Sequence, residues 1–205
     1  MAIISDYPTL RSNILEYIKR TDALSHIDNF IALAESDIWD VLRVREMEAR
    51  ATASTVVDSR YIALPSRFIK MRSLRIYINE VQLDLDAVTP KDLAVYTGTG
   101  VPTKYTITSQ IEMNQNADQV YSLEMQYLQE LIALTETNPE NDIITNYPMI
   151  YLAGALSRAY QWSLQEDRAQ YWRSVFEKQV ARANRKTRSG KYGPAPAKTI
   201  IGRTP

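Results

Sequence analysis

Apolar residues recur at helical spacing at both ends of the chain and alternate at strand spacing through its middle. Near the start, Pro8 fits a first helical position, and Leu10, Ile14, Tyr17 and Ile18 follow on one face. Asp22 to Ser25 is polar enough for a short turn. Ser25 reads as an N-cap with Asp28 in the capping-box position. Ile27, Phe30, Ile31, Ala34, Ile38, Val41 and Leu42 then trace one face of a second helix. The pattern predicts an antiparallel helical hairpin.

From about Met47 the period changes. Thr52 to Val57 and Arg60 to Leu64 are rich in β-branched residues, with Asp58-Ser59 as a turn between them. Leu74, Ile76 and Ile78 alternate with Arg75 and Tyr77, and Val81, Leu83 and Leu85 alternate likewise beyond Asn79-Glu80. This second pair reads as a hairpin. Thr89-Pro90 suits the opening of a short helical turn through Val95. Gly98, Gly100 and Pro102 mark a loop, and Lys104 to Thr108, Gln110 to Met113 and Gln119 to Leu128 read as further strands. Many short strands with turn signals between them predict an antiparallel sandwich or barrel-like sheet.

After a linker over residues 137–142, helical character returns near Ile143, and Pro148 falls in a first turn. Met149 to Leu156 is apolar nearly all round, which marks a helix buried among others. A break at Gln165-Glu166-Asp167 precedes a last helix with Trp172, Val175, Phe176, Val180 and Ala183 on one face. Arg173, Glu177, Lys178 and Arg182 lie on the other. The expected fold class is therefore α+β. Residues 1–46 and 138–186 form a helical bundle, residues 47–137 form a β insert, and residues 187–205 form an extended C-terminal arm.

The arm differs in composition from the rest. Among its nineteen residues are three of the six glycines, three of the nine prolines, four basic residues and no acid. Alone, such a segment buries too little apolar surface to offset its ordering entropy. Ile200-Ile201, flanked by Lys198 and Arg203, has the make-up of an anchor for a partner. A solvated chain end is the other reading of the same residues. Because Lys+Arg and Asp+Glu both number 24, the remainder of the chain carries a compensating acidic excess.

Composition narrows the chemistry. With no cysteine, there is no disulfide framework, thiol catalysis or thiolate-bound metal, and the single histidine, His26, cannot by itself build a multi-histidine site. Neither GxxxxGK[ST] nor GxGxxG occurs, so no nucleotide loop is expected. No metal or cofactor is expected either. A net charge of zero argues against strong free binding to nucleic acid. The longest strongly apolar run, Met149 to Leu156, is far shorter than the ~20 residues that span a bilayer, and the N-terminal residues lack the pattern of a secretory signal. A soluble protein without a membrane partner is expected. Thirteen Tyr and three Trp against three Phe favour surfaces that become buried on partners.

Two pairs of acids have the make-up of candidate catalytic or calcium-binding sets. Asp84/Asp86 and Glu140/Asp142 have i,i+2 spacing, but no Asp-x-Asp-x-Asp-Gly loop accompanies them, and solvated turn residues explain them better. His26 reads as an exposed first-turn residue. The basic run Arg182, Arg185, Lys186, Arg188 and Lys191 suits phosphate or an acidic protein equally, and it lacks the interleaved aromatics of a single-strand platform. An enzyme with acidic catalytic residues in the β insert, or a nucleic-acid-binding accessory module, are the alternatives to a structural role.

The order of features resembles the head–tail adaptor (head-completion or connector) proteins of tailed bacteriophages, the group that includes podovirus tail tubular protein A. The resemblance is carried by the helical stretch Leu33 to Arg45, by Leu64-Pro65-Ser66-Arg67-Phe68-Ile69, and by Gly100-Val101-Pro102-Thr103-Lys104-Tyr105-Thr106-Ile107. Ile111-Glu112-Met113, Tyr127, Leu134, the run Asn146 to Leu156, and Tyr171-Trp172 complete it. Two departures are visible. Similar proteins often carry prolines where this chain has Asn114-Gln115-Asn116, and many carry an acid where it has Met149.

The resemblance implies a structural protein, not an enzyme, located in the virion at the head–tail neck and in host cytoplasm during assembly. It implies a homo-oligomeric ring, commonly of twelve copies, bound to the portal protein and offering a platform to tail and nozzle proteins. Genomic DNA would pass through the channel without being read for sequence. The residues expected to touch the portal or a neighbouring subunit are Lys191, Tyr192, Lys198, Ile200, Ile201 and Arg203.

Overall fold

The computed structural model describes residues 3–94 and 96–191, which comprise two compact units. One is built from the residues up to Glu46 together with those from Ile132 onward, and the other is Met47–Leu131.

In the first unit, α1 (Tyr7–Ile18) starts at Asp6, whose carboxylate accepts the Thr9 N–H at 2.8 Å while the Thr9 hydroxyl accepts the Asp6 N–H at 3.1 Å. This reciprocal cap is the signal at this end, with Pro8 inside the first turn. The Thr9 backbone N–H above all holds the Asp6 carboxyl below its usual range. Leu10, Ile14 and Ile18 are buried.

The next helix, α2 (Ile27–Val41), departs from expectation at both ends. A 3-10 turn over Leu24–His26 precedes it, and His26, not Ser25, is its N-cap. No side-chain cap forms; in the turn itself, the His26 N–H reaches the Ala23 carbonyl at 2.9 Å, so local backbone serves where a hydroxyl was expected. At the other end Val41 is exposed and Leu42 buried.

Asn141 caps the short α3 (Asp142–Asn146), and α4 (Pro148–Trp162) follows directly. Buried on nearly every side, α4 packs against α5, α2 and α1. At Gly154 the approach is closest: a Cβ there would lie 3.0 Å from the Ala34 Cβ and 3.4 Å from the Phe176 ring. The last helix, α5 (Glu166–Lys191), buries Phe176, Val180 and Ala183. It runs past Lys186, so the extended arm expected from Thr187 does not begin there. No proline lies between Lys186 and Pro194, and Thr187, Arg188 and Ser189 cost a helix only tenths of a kcal/mol each, about 0.7 at most.

Among its described residues the second unit holds ten strands: β1 (Glu48–Ser54), β2 (Tyr61–Ile62), β3 (Phe68–Ile78), β4 (Val81–Asp84), β5 (Asp86–Ala87), β6 (Thr99–Gly100), β7 (Lys104–Ile107), β8 (Ile111–Met113), β9 (Asn116–Ala117) and β10 (Ser122–Gln129). One antiparallel sheet has the order β1-β10-β3-β4. A second has the order β2-β8-β7-β5, its last pair parallel, and β6 pairs with β9. Residues of both four-stranded sheets, among them Leu74, Ile76, Leu123 and Met125 from one and Tyr105, Ile111 and Met113 from the other, form one hydrophobic cluster.

The hairpin at Asn79-Glu80 forms as the alternation predicts, with φ of 48° and 67° at its two turn residues. These left-handed angles match the twist of the flanking strands. The turn at Asp58-Ser59 joins no hairpin, because β1 pairs with β10 and β2 with β8. Around Thr89-Pro90 there is a hydrogen-bonded turn with the Asp92 N–H on the Thr89 carbonyl, and no helix.

Residues 132–141 belong with the helices, so the unit boundary precedes the expected 137/138 junction. Their hydrogen bonds explain it: the Leu134 N–H donates to Glu35, and the Tyr7 N–H donates to the Pro139 carbonyl.

Candidate interaction surfaces

Polar contacts inside the helical unit hold its surfaces in place. Glu35 lies on the buried face of α2, where its Oε1 accepts from the Leu134 N–H at 2.8 Å and from the Tyr151 hydroxyl at 3.1 Å. The Asn141 amide donates to the Tyr151 oxygen at 2.8 Å, while the Asn141 carbonyl oxygen caps α3. Burial pushes the Glu35 carboxyl up, opposed by these two hydrogen bonds, and burial beside Glu35 pushes the Tyr151 hydroxyl up. One network therefore joins α2, α3, α4 and the connecting segment 132–141. The signal for Glu35 was present in the sequence, since it continues the four-residue spacing of Ile27 and Ile31.

A second tie is ionic. Arg158 of α4 grips Asp37 of α2 through two nitrogens, at 2.9 and 2.6 Å, and Arg173 of α5 approaches the same carboxylate at 3.3 Å. At the end of α2, the Asn184 amide donates to the Val41 carbonyl and its oxygen accepts the Arg43 N–H.

At the α4–α5 turn the surface becomes aromatic. Trp162 lies 5.0 Å from the His26 ring and 5.8 Å from Phe30, with the Arg20 guanidinium 5.2 Å from its centre. Tyr171 and Tyr17 both meet Trp172 edge to face. Within the turn, the Gln165 N–H bonds the Tyr160 carbonyl and the Leu164 N–H bonds the Gln161 carbonyl. This is the double closure that usually places glycine in the left-handed position. Here that position is Leu164, a residue with φ 58° that is 86 % exposed. A left-handed residue with a Cβ costs roughly 1–2 kcal/mol, and burial of the side chain elsewhere within the chain does not offset it. Only the polar stretch around Gln165 hinted at this turn in the sequence; nothing in it singled out Leu164.

In the β unit, the edge strand β4 is exposed throughout, with Val81 and Leu83 on its surface. Val56, Val57 and Val120 are exposed at loops joined by bonds between Thr55 and residues 119 and 121. The Asp84/Asp86 spacing has a simple origin: Leu85 between them is buried in the core while both acids are exposed, and Asp84 pairs with Arg75 at 2.9 Å. Glu140 is an exposed connector residue, and Asp142 opens α3. His26 is exposed. Among the described residues no group of three or more His, Cys, Asp or Glu side chains could hold a metal, and no helix is long and apolar enough to cross a membrane.

Of the residues expected to make portal or neighbour contacts, Lys191 is the last residue of α5. Tyr192, Lys198, Ile200, Ile201 and Arg203 lie outside the described residues. Just before them, Lys178, Arg182, Arg185, Lys186 and Arg188 are all exposed on α5.

The sequence model of the SU10 adaptor protein family matches residues 5–198. No curated protein matches the chain.

Proposed function

We propose, because the chain belongs to the SU10 adaptor protein family and is thereby a phage structural adaptor, that it works as one subunit of a closed ring on the portal vertex. In this reading the architecture is a helical bundle with an inserted β-sandwich, of the kind seen in podovirus tail tubular protein A-like adaptors. Twelve copies sit side by side, the β unit faces tail and nozzle proteins, and genomic DNA passes through the channel without being read. Side-to-side contacts that use two different faces of each subunit close when the rotation allows.

The observation that carries the reading is the extent of the family match, which takes in both compact units and continues beyond α5. Exposed apolar side chains at Trp162, Leu164 and Tyr171 and at Val81 and Leu83 support it, since such groups gain most when a partner covers them.

The arm supplies the attachment. Ile200 and Ile201 fill apolar pockets on the portal or a neighbouring subunit, with Lys191, Tyr192, Lys198 and Arg203 beside them. Burying each Ile contributes about 1.5–3 kcal/mol, more than an exposed ion pair at about 0–1. Repetition around a ring multiplies modest arms into firm attachment.

Electron microscopy of the full chain mixed with portal protein tests the reading. Closed rings on the portal are expected, and their loss with Ile200→Asp and Ile201→Asp while the fold persists by circular dichroism. Isologous dimers, or unchanged attachment of the double variant, would overturn the ring or the arm respectively.

A further inference from the structure

At one end of its sheet, β4 has β3 on one side and no strand on the other. Ile76 faces Leu83 and Ile78 faces Val81 across the hairpin, so these four side chains share one face of the sheet. Ile76 is buried in the hydrophobic cluster and Ile78 packs against it, whereas Leu83 and Val81 are 46 % and 58 % exposed. The apolar face therefore continues one strand beyond its cover. The backbone has the same unmet need. The Leu85 N–H bonds the Leu74 carbonyl, and hydrogen-bonded pairs alternate along an antiparallel ladder, so Val81 and Leu83 direct their backbone groups at β3. Those of Gln82 and Asp84 point away from it, along the open edge. Such edges are normally blunted by lysine, proline or a bulge. β4 has none of these, and its register with β3 is continuous. At the opposite edge, β1 turns only alanines (Ala49, Ala51 and Ala53) toward the cluster.

Charge and sequence identify what completes the edge. Between Ile78 and Pro90 stand three acids, Glu80, Asp84 and Asp86, and no base. Arg75 pairs with Asp84 and Lys104 lies in register with Asp86, yet all three acids stay exposed. A second β4 would bring its own acids to the same edge. The C-terminal arm carries the opposite pattern, with the β-branched run Thr199-Ile200-Ile201 between Lys198 and Arg203. Such a run suits a strand, and residues 197–204 hold no proline and no acid. Fourteen residues follow Lys191, a reach of about 46–50 Å when extended. We propose that residues 198–203 of one copy add to β4 of a neighbouring copy as a further strand. The proposal rests on the arm reading above and narrows it to one seat. With Ile200 across from Gln82, either strand direction sets Thr199 and Ile201 beside Val81 and Leu83 on the apolar face. Lys198 then meets Asp84 or Glu80. Backbone bonds along the edge supply affinity, and the alternating side chains supply the match.

Because the chain has no cysteine, introduced thiols report the contact. Equal amounts of Gln82→Cys and Ile200→Cys chains are mixed with portal protein, oxidised mildly, and read by mass spectrometry of disulfide-linked peptides. Facing residues of paired strands lie about 4.5–5.5 Å apart at Cα, within the ~4.4–6.8 Å that a disulfide needs. A link between positions 82 and 200 of different chains is expected. Arg50→Cys on β1 should link to Ile200→Cys about tenfold less, and adding Val81→Lys and Leu83→Lys to the Gln82→Cys chain should cut the yield about tenfold. Both lysines replace exposed residues, so the fold should persist by circular dichroism. Equal yield from Arg50→Cys, unchanged yield with the two lysines, or a link formed only within a chain that carries both thiols overturns the proposal. Closed rings on the portal without the 82–200 link overturn it while the ring reading stands. The link without rings upholds the strand pairing and overturns the ring.

Discussion

The helical unit and the β unit solve the same problem in opposite ways. The helical unit is assembled from two separated stretches of chain, and side chains tie the stretches together: Glu35 to Tyr151 and Leu134, Asp37 to Arg158, Asn184 to Val41 and Arg43. The β unit is one continuous stretch, and backbone ladders join it, with β10 paired on both sides by β1 and β3. Its departures from ordinary backbone geometry lie in its turns, at Asp58, Arg67, Asn79 and Glu80. Close packing and specific polar bonds therefore carry the first unit, whereas turn geometry and a shared apolar cluster carry the second.

That contrast can be broken most forcefully in the helical core. Phe176 is 1 % exposed and touches the closest helix crossing. Phe176→Ala should cost about 3–5 kcal/mol in denaturant unfolding. A cost below 1 kcal/mol would mean the crossing is looser than its geometry implies.

At the same crossing, Gly154→Val should destabilise by about 1–3 kcal/mol through overpacking. The new side chain meets Ala34, whose Cβ moves only if α2 moves. A neutral result in thermal melts would show that the helices can separate without penalty.

Glu35→Gln sharpens the comparison through pH. The folded-state carboxyl is raised above its ordinary value of 4.5 by burial, so its contribution is fully present below that value and is lost as pH rises through the folded one. The Gln variant keeps an oxygen for Leu134 and Tyr151 and has no charge to bury. Its stability relative to the unsubstituted chain should rise with pH, starting near pH 4.5. A difference that stays flat from pH 4 to 8 would remove Glu35 from the pH response.

The smallest effects lie in the turns. Leu164 and Glu80 both sit at positive φ, 58° and 67°. Glycine at either should stabilise by up to about 1 kcal/mol, the relief of left-handed strain less the entropy of glycine. If the proposed assembly on portal uses its exposed side chain, Leu164→Gly should also weaken that assembly, whereas a parallel loss for both variants would trace to the fold.

Local pattern determined much of this protein. The helical faces of α1, α4 and α5 follow from apolar residues that recur every three or four positions, and the β3–β4 hairpin from strict alternation around a two-residue turn. Each is written within a window of some twelve residues at most per face, so neighbours in sequence suffice to specify it. The coarser part of the family resemblance, a phage adaptor, was likewise legible, because it rests on the order of such local pieces.

Tertiary structure decided what no window contains. Glu48 pairs with Leu128 and Tyr61 with Glu112, which a turn at Asp58-Ser59 could not reveal. Glu35 is buried because a connector almost a hundred residues away brings it the Leu134 N–H. Leu164 takes a glycine's conformation because closure of the α4–α5 turn needs a left-handed residue at that point and the chain offers none without a Cβ. Periodicity reports which face of an element is apolar; which partner covers that face depends on the free energy of the whole packed unit, and that sum runs over residues distant in the chain.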